Sequence, residues 1–217
     1  MTAVTVTRDW SDIVCWLARN APLTCASLAL PAPRLSTEDL TSMVGRPIPV
    51  ELAEYWRVVG GTVGEVIAEI FPPYYSPLSL DSALHTWRVY SGTREGHDHP
   101  ASLCVDDLMI TAGRRCWDPM YLPIAHDGCG GYLVVNLRAG SDYGSVLEYD
   151  QELGCQPSPA WGAITELMEQ LATGLSAGRT ERGFRPRTTT CGRLAWECER
   201  RALSTGSVVA WPEYLTG

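Results

Sequence analysis

Residues 121–150, YLPIAHDGCGGYLVVNLRAGSDYGSVLEYD, constrain the fold of this chain more than any other stretch. Leu133, Val135 and Leu137 alternate with Tyr132, Val134, Asn136 and Arg138, and Leu147 and Tyr149 alternate with Val146, Glu148 and Asp150. A period of two is the strand period, so each run presents opposite faces on successive residues. The Leu133 face is fully apolar and the other is mixed. Between the runs lie Asp127-Gly128-Cys129-Gly130-Gly131 and Ala139-Gly140-Ser141-Asp142-Tyr143-Gly144. Glycine supplies the positive φ that tight hairpins require. The pattern predicts an antiparallel meander at the centre of the protein.

Helical periodicity surrounds it. Trp10, Ile13, Val14 and Leu17 predict a helix over 8–19, ended by Asn20-Ala21-Pro22. After a proline-rich link, Ser36 is placed to cap a short helix over 37–44, with Glu38 and Asp39 near its positive end and Gly45 behind it. Leu52, Tyr55, Trp56 and Val59 form the next stripe. Pro49 stands in its first turn and Gly60-Gly61 stop it. A strand is expected over 63–70, followed by an irregular proline loop, Phe71-Pro72-Pro73-Tyr74-Tyr75-Ser76-Pro77. Asp81 or Ser79 caps a helix facing inward with Ala83, Leu84, Trp87 and Tyr90, and residues 93–100 read as a polar loop. The last helix, over 160–176, carries Trp161, Ile164, Leu167, Met168, Leu171 and Leu175. Residues 178–190 read as an arginine-rich linker, with a small hairpin joining 194–196 to 208–211.

Charge narrows the function. The 217 residues carry a net charge of −8. A basic nucleic-acid footprint is absent, an anionic membrane surface would repel the chain, and a basic protein partner would be steered towards it. The acidity is uneven: residues 1–178 sum to −11 and residues 179–217 to +3. All 17 basic residues are arginine, a coding bias rather than a function. No apolar run approaches the ~18 residues of a membrane span. Asp9 and Asp12 stand where the apolar core of an export signal would lie, and none of the eight cysteines forms a C-x-x-C pair. A cytoplasmic setting is expected, with reduced thiols buried as small hydrophobes.

No set of residues reads as catalytic, metal-binding or cofactor-binding. His97-Asp98-His99 offers two imidazoles with no further ligand near in sequence. His126, Asp127 and Cys129 could suggest an activated thiol, but Asp127 is better explained as a turn residue bonding its own backbone. The Gly128-x-Gly130-Gly131 run precedes a strand, not the helix a phosphate cradle needs. Arg179, Arg182, Arg185 and Arg187 fit a segment folding back on the acidic body. Rigidly held tyrosines give large contact area at low entropy cost, which suits recognition; the alternative is that they pack the loop against the core while the aspartates set the turns. Tyr74 and Tyr75 on the proline loop, with Asp127, Asp142 and Tyr143 on the hairpin turns, are the candidate partner-binding residues.

The order of these pieces resembles the SUKH superfamily, in particular its branch named after fungal cell-wall assembly regulators (Smi/Knr). The similarity rests on Trp10 with Trp16-Leu17, the stretch GRPIPVELAEYW at 45–56, Gly60-Gly61, Pro77-Leu78-Ser79-Leu80, Trp117-Asp118-Pro119, Leu122-Pro123-Ile124-Ala125, Asp127-Gly128, Leu137-Arg138-x-Gly140, Gly144-x-Val146, Asp150 and Pro159-x-Trp161. It runs over about 9–175. Members often carry Asn-Gly where this chain has Val59-Gly60, and Asp where it has Asn136. The resemblance implies an α+β fold, a central mainly antiparallel sheet flanked by helices, over residues 1–176, with a short C-terminal appendage over 177–217. It further implies a non-catalytic immunity protein that binds a bacterial toxin, basic nucleases being one such class. A scaffold or regulatory role on another partner, or an enzyme using His126, Asp127 or Cys129, are the alternatives.

Overall fold

The computed structural model describes residues 3–31, 36–64, 67–92 and 117–198. The 93–100 loop, His97-Asp98-His99 and the strand expected at 208–211 lie outside them. The fold is α+β. Five strands, β1 (Ser76–Pro77), β2 (Tyr121–His126), β3 (Gly131–Asn136), β4 (Val146–Asp150) and β5 (Gly154–Cys155), form one antiparallel sheet in that spatial order. The meander stands as the alternation requires.

Each helix forms for a local reason. In α1 (Ala3–Asn20), Val6, Trp10, Ile13 and Leu17 are buried, so the stripe starts one turn earlier than the expected 8–19. A second helix, α2 (Pro22–Ala26), follows at once, because Pro22 fits a first turn as well as it ends the preceding helix. Ser36 and Asp39 exchange side-chain and backbone hydrogen bonds of 3.1 and 2.8 Å at the start of α3 (Thr37–Val44), and Gly45 closes it at φ 73°. Pro49 is the N-cap of α4 (Val50–Val58), just ahead of the first turn, and Leu52, Tyr55 and Trp56 are buried. Ser79 rather than Asp81 caps α5 (Leu80–Gly92), its hydroxyl accepting from the Ser82 amide at 3.1 Å. The last helix, α6 (Ile164–Ala177), begins later than expected because Trp161 pairs with Val146 as an extra bridge on the sheet.

These helices and the sheet share one aliphatic core. Leu122, Ile124, Leu133, Val135 and Val146 of the sheet meet Ile13 and Leu17 of α1, Leu52 and Tyr55 of α4, and Leu167 and Met168 of α6. The mixed face of the meander is covered as well. Val134, Leu147 and Tyr149 pack with Trp117, and Trp87, Tyr90 and Tyr132 close over them. Trp117 meets Tyr149 edge-on with centroids 4.8 Å apart.

Three expectations do not hold. Residues 67–70 are irregular, not a strand; the sheet edge is supplied instead by Ser76–Pro77, opposite His126 and Ala125. A proline without an N–H is tolerated on such an edge. Second, the stretch read as a linker contains a strand, β6 (Phe184–Thr188), which pairs with β7 (Leu194–Cys198). This hairpin is tied back to the body: the Leu194 amide donates to Thr24 Oγ1 at 2.8 Å, the Trp196 indole to the Glu69 carbonyl at 2.9 Å, and the Leu23 amide to the Gly192 carbonyl at 2.9 Å. Third, the thiols are not uniformly buried. Cys15, Cys129, Cys191 and Cys198 are exposed, and Cys25 and Cys155 are half-buried.

Candidate protein-binding surface

Antiparallel pairing places the two glycine-rich turns at opposite ends of the sheet. Gly131 lies opposite Asp150 at one end of β3 and Val135 lies opposite Val146 at the other. At ~3.3 Å per residue the two turns are roughly 17 Å apart. The five candidate residues therefore fall into two patches. Tyr74, Tyr75 and Asp127 share one end, because β1 next to them pairs with His126. Asp142 and Tyr143 occupy the other.

At the first end the Asp127 carboxylate braces its own turn. Its Oδ1 accepts from the amides of Cys129 at 2.7 Å and Gly131 at 2.8 Å, as the turn reading expects. The neighbouring His126 imidazole is held below its usual pKa by burial, partly offset by Asp127. Phe71 and Tyr75 exchange backbone hydrogen bonds of 2.9 and 2.8 Å across the proline loop. Tyr75 is turned inward and only 6% exposed. Its ring supports that of Tyr74, 5.3 Å away and 37% exposed. Burial raises the Tyr74 phenol's pKa, and Asp127, Glu148 and Asp150 push it further. That phenol thus sits in a negative field.

Glu148 and Asp150 were not singled out from sequence, though the β4 alternation puts them on one face. Asp150 accepts from the amides of Glu152 and Leu153 at 2.7 and 2.8 Å. Glu148 receives Arg182 at 2.7 Å, and that guanidinium also lies 4.6 Å over the Trp161 ring. Arg182 is thus a tail arginine that folds back on the acidic body, while Arg187 pairs with Glu197 within the hairpin. Exposed Ile67 leans over Gly128 and completes this end.

At the second end Asp142 closes the turn with its carbonyl, which accepts from the Ser145 amide and hydroxyl at 3.1 and 2.7 Å. Tyr143 is 38% exposed beside Glu51. Gly144, at φ 85°, brings the turn against Pro49. A cavity of about 400 Å³ opens there, lined by Ile48, Pro49, Val50, Glu51, Tyr143 and Ala163.

The model of the SMI1 / KNR4 family (SUKH-1) matches residues 35–170, more than half of the chain. The chain belongs to this family. None of the curated proteins compared with it matches. The SUKH-1 span begins at α3, so Trp10 and Trp16-Leu17 of α1 lie outside it, as does the C-terminal hairpin. Inside it, the segments that carried the resemblance meet in space. Arg46 donates to the Pro119 carbonyl at 3.2 Å, the Trp87 indole to the same carbonyl at 3.0 Å, and Arg138 pairs with Asp118. Among the described residues no helix is long and apolar enough to cross a membrane, and no group of three His, Cys, Asp or Glu side chains is arranged to hold a metal ion.

Proposed function

We propose that this SUKH-1 protein is an immunity protein that neutralises a cognate bacterial toxin by stoichiometric binding in the cytoplasm, without catalysis. Membership of residues 35–170 in the family carries the reading. The surface supports it: a half-exposed tyrosine on a braced loop, within the electrostatic reach of Asp127, Glu148 and Asp150, offers an aromatic anchor in a negative field. Such a patch suits a basic protein, a nuclease being one such partner, because opposite potentials speed encounter and desolvated aromatics hold the complex.

Tyr74 and Asp127 form the primary contact in this proposal, with Tyr75 as the support beneath Tyr74. Asp142 and Tyr143 form a second contact for a partner wide enough to reach both ends. An interface of standard size, ~800 Å² per partner, spans that distance. The test is co-expression with the products of neighbouring reading frames. A 1:1 complex that abolishes the toxicity of one such product is expected. Toxicity unaffected by an excess of the folded protein would remove the immunity reading.

A further inference from the structure

Away from the sheet, α1 and α6 leave an open groove of about 590 Å³ between them. Arg8, Asp9, Asp12 and Glu169 are its charged members, beside Ala172 and Thr173. Asp9 differs from the other three. It is 8% exposed, and among the described residues its Oδ2 has no hydrogen-bond partner. A buried carboxylate oxygen without a donor is costly, and folded proteins rarely leave one so. Burial first, then Glu169 and Asp12, hold its pKa above the ordinary carboxylate value, against the pull of Arg8. The nearest cation does little to neutralise the groove. Arg8 Nε stands 4.0 Å from Asp12 Oδ2 with both side chains mostly in water, so that pair is weak.

We infer that this groove is a binding site for an alkylguanidinium group, the arginine side chain of a protein partner, with Asp9 as buried acceptor and Asp12 and Glu169 at the rim. Three carboxylates against one loosely held guanidinium leave room for one more cation. Arginine fits better than lysine or a metal ion. Its planar fork can serve Asp9 and a rim carboxylate at once, and it is more weakly hydrated than an ammonium. Its aliphatic stem can lie along Ala172 and the Thr173 methyl. The three carboxylates do not form a metal-holding group. The α1 side of the groove precedes residue 35 and so lies outside the span shared with the family. The site stands whether or not the Tyr74 end meets a partner.

The probe is a capped Gly-Arg-Gly peptide, titrated into the full-length, nitrogen-15-labelled protein at pH 7 and low salt, beside its citrulline counterpart. Citrulline keeps the shape and removes the charge. Saturable amide shifts confined to residues 5–12 and 169–177 are expected, with the citrulline peptide at least tenfold weaker. Asp9→Asn should weaken arginine binding at least tenfold and Glu169→Gln several-fold, whereas Tyr74→Ala should leave it unchanged. Equal binding of the two peptides, undiminished binding by Asp9→Asn, or no saturable response would overturn the site. Urea unfolding at pH 7 gives an independent readout. A carboxyl whose folded pKa is raised loses stability as pH climbs above its unfolded value, so Asp9→Asn should be at least as stable as the parent. A less stable Asp9→Asn protein would mean that Asp9 already has its partner, and would also overturn it.

Discussion

The two ends of the central sheet are made from the same kind of part, a glycine-rich turn with one aspartate, yet the aspartates do different things. Asp127 turns its carboxylate onto its own backbone and holds the Cys129 and Gly131 amides. Asp142 closes its turn with the main-chain carbonyl, and among the described residues its carboxylate receives the neighbouring Ser141 hydroxyl at 3.0 Å. The surroundings diverge as well. The Asp127 end gathers Tyr74, Glu148 and Asp150 over buried Tyr75, whereas the Asp142 end sets Tyr143 beside Glu51 and an open cavity. Composition of a turn therefore does not say whether its charge is a brace or a projecting group; the strands that arrive beside it decide.

The comparison requires both ends to stand on one cooperative body. Trp56, 3% exposed in the shared core, lies on α4, whose first turn lines the Tyr143 cavity. Trp56→Ala should cost ~3–5 kcal/mol in denaturant unfolding with a single transition. A loss under ~1 kcal/mol would detach α4 from the core and the second end from the first. The next largest effect separates the two aspartates. Asp127→Ala leaves two amides without their acceptor and should cost about 1–2 kcal/mol, while Asp142→Ala should stay within ~0.5 kcal/mol. Equal losses would erase the distinction between brace and projection.

The smallest effect is a pH dependence of the Asp127 end. Burial lowers the folded pKa of His126 below its ordinary 6.5. The unfolded chain then binds the proton more readily, so the stability this group gives is present above the unfolded pKa. It is lost as pH falls from about 6.5 towards the folded value. His126→Gln should therefore lose less stability than the parent between pH 7.5 and 5.5, measured by urea midpoints. Identical pH profiles would show that the imidazole is solvated.

Much of the architecture was legible because it is local. The period-two runs of β3 and β4, the Ser36–Asp39 capping box and the stripes of α1, α4 and α6 each announce themselves within a dozen residues. What was not legible depends on distant partners. The apolar 63–70 stretch looked like a strand, but its described backbone is satisfied elsewhere. The Ala68 amide donates to Ser76 Oγ at 2.8 Å, and the Ile67 and Glu69 carbonyls receive Arg193 and Trp196 from the C-terminal hairpin. In β6 the four-residue alternation of Phe184 and Pro186 with Arg185 and Arg187 was hidden by its arginine content; the Glu197 that Arg187 pairs with diagonally across the hairpin lies ten residues on. The turn aspartates and tyrosines could be picked by type. The negative field at Tyr74 could not, since Glu148 and Asp150 reach it only in the register that sets Asp150 opposite Gly131.

The central claim is that a partner is held chiefly by the Tyr74 end. Its most direct test is calorimetric titration of the co-purified partner into three folded proteins: the parent, Tyr74→Ala and Asp142→Ala/Tyr143→Ala. One partner per chain is expected throughout. Tyr74→Ala should weaken affinity at least tenfold, the ~1.4 kcal/mol or more expected of an aromatic anchor, and the Asp142/Tyr143 double variant should weaken it less. Affinity unchanged in Tyr74→Ala, or lost only in the double variant, would contradict the account.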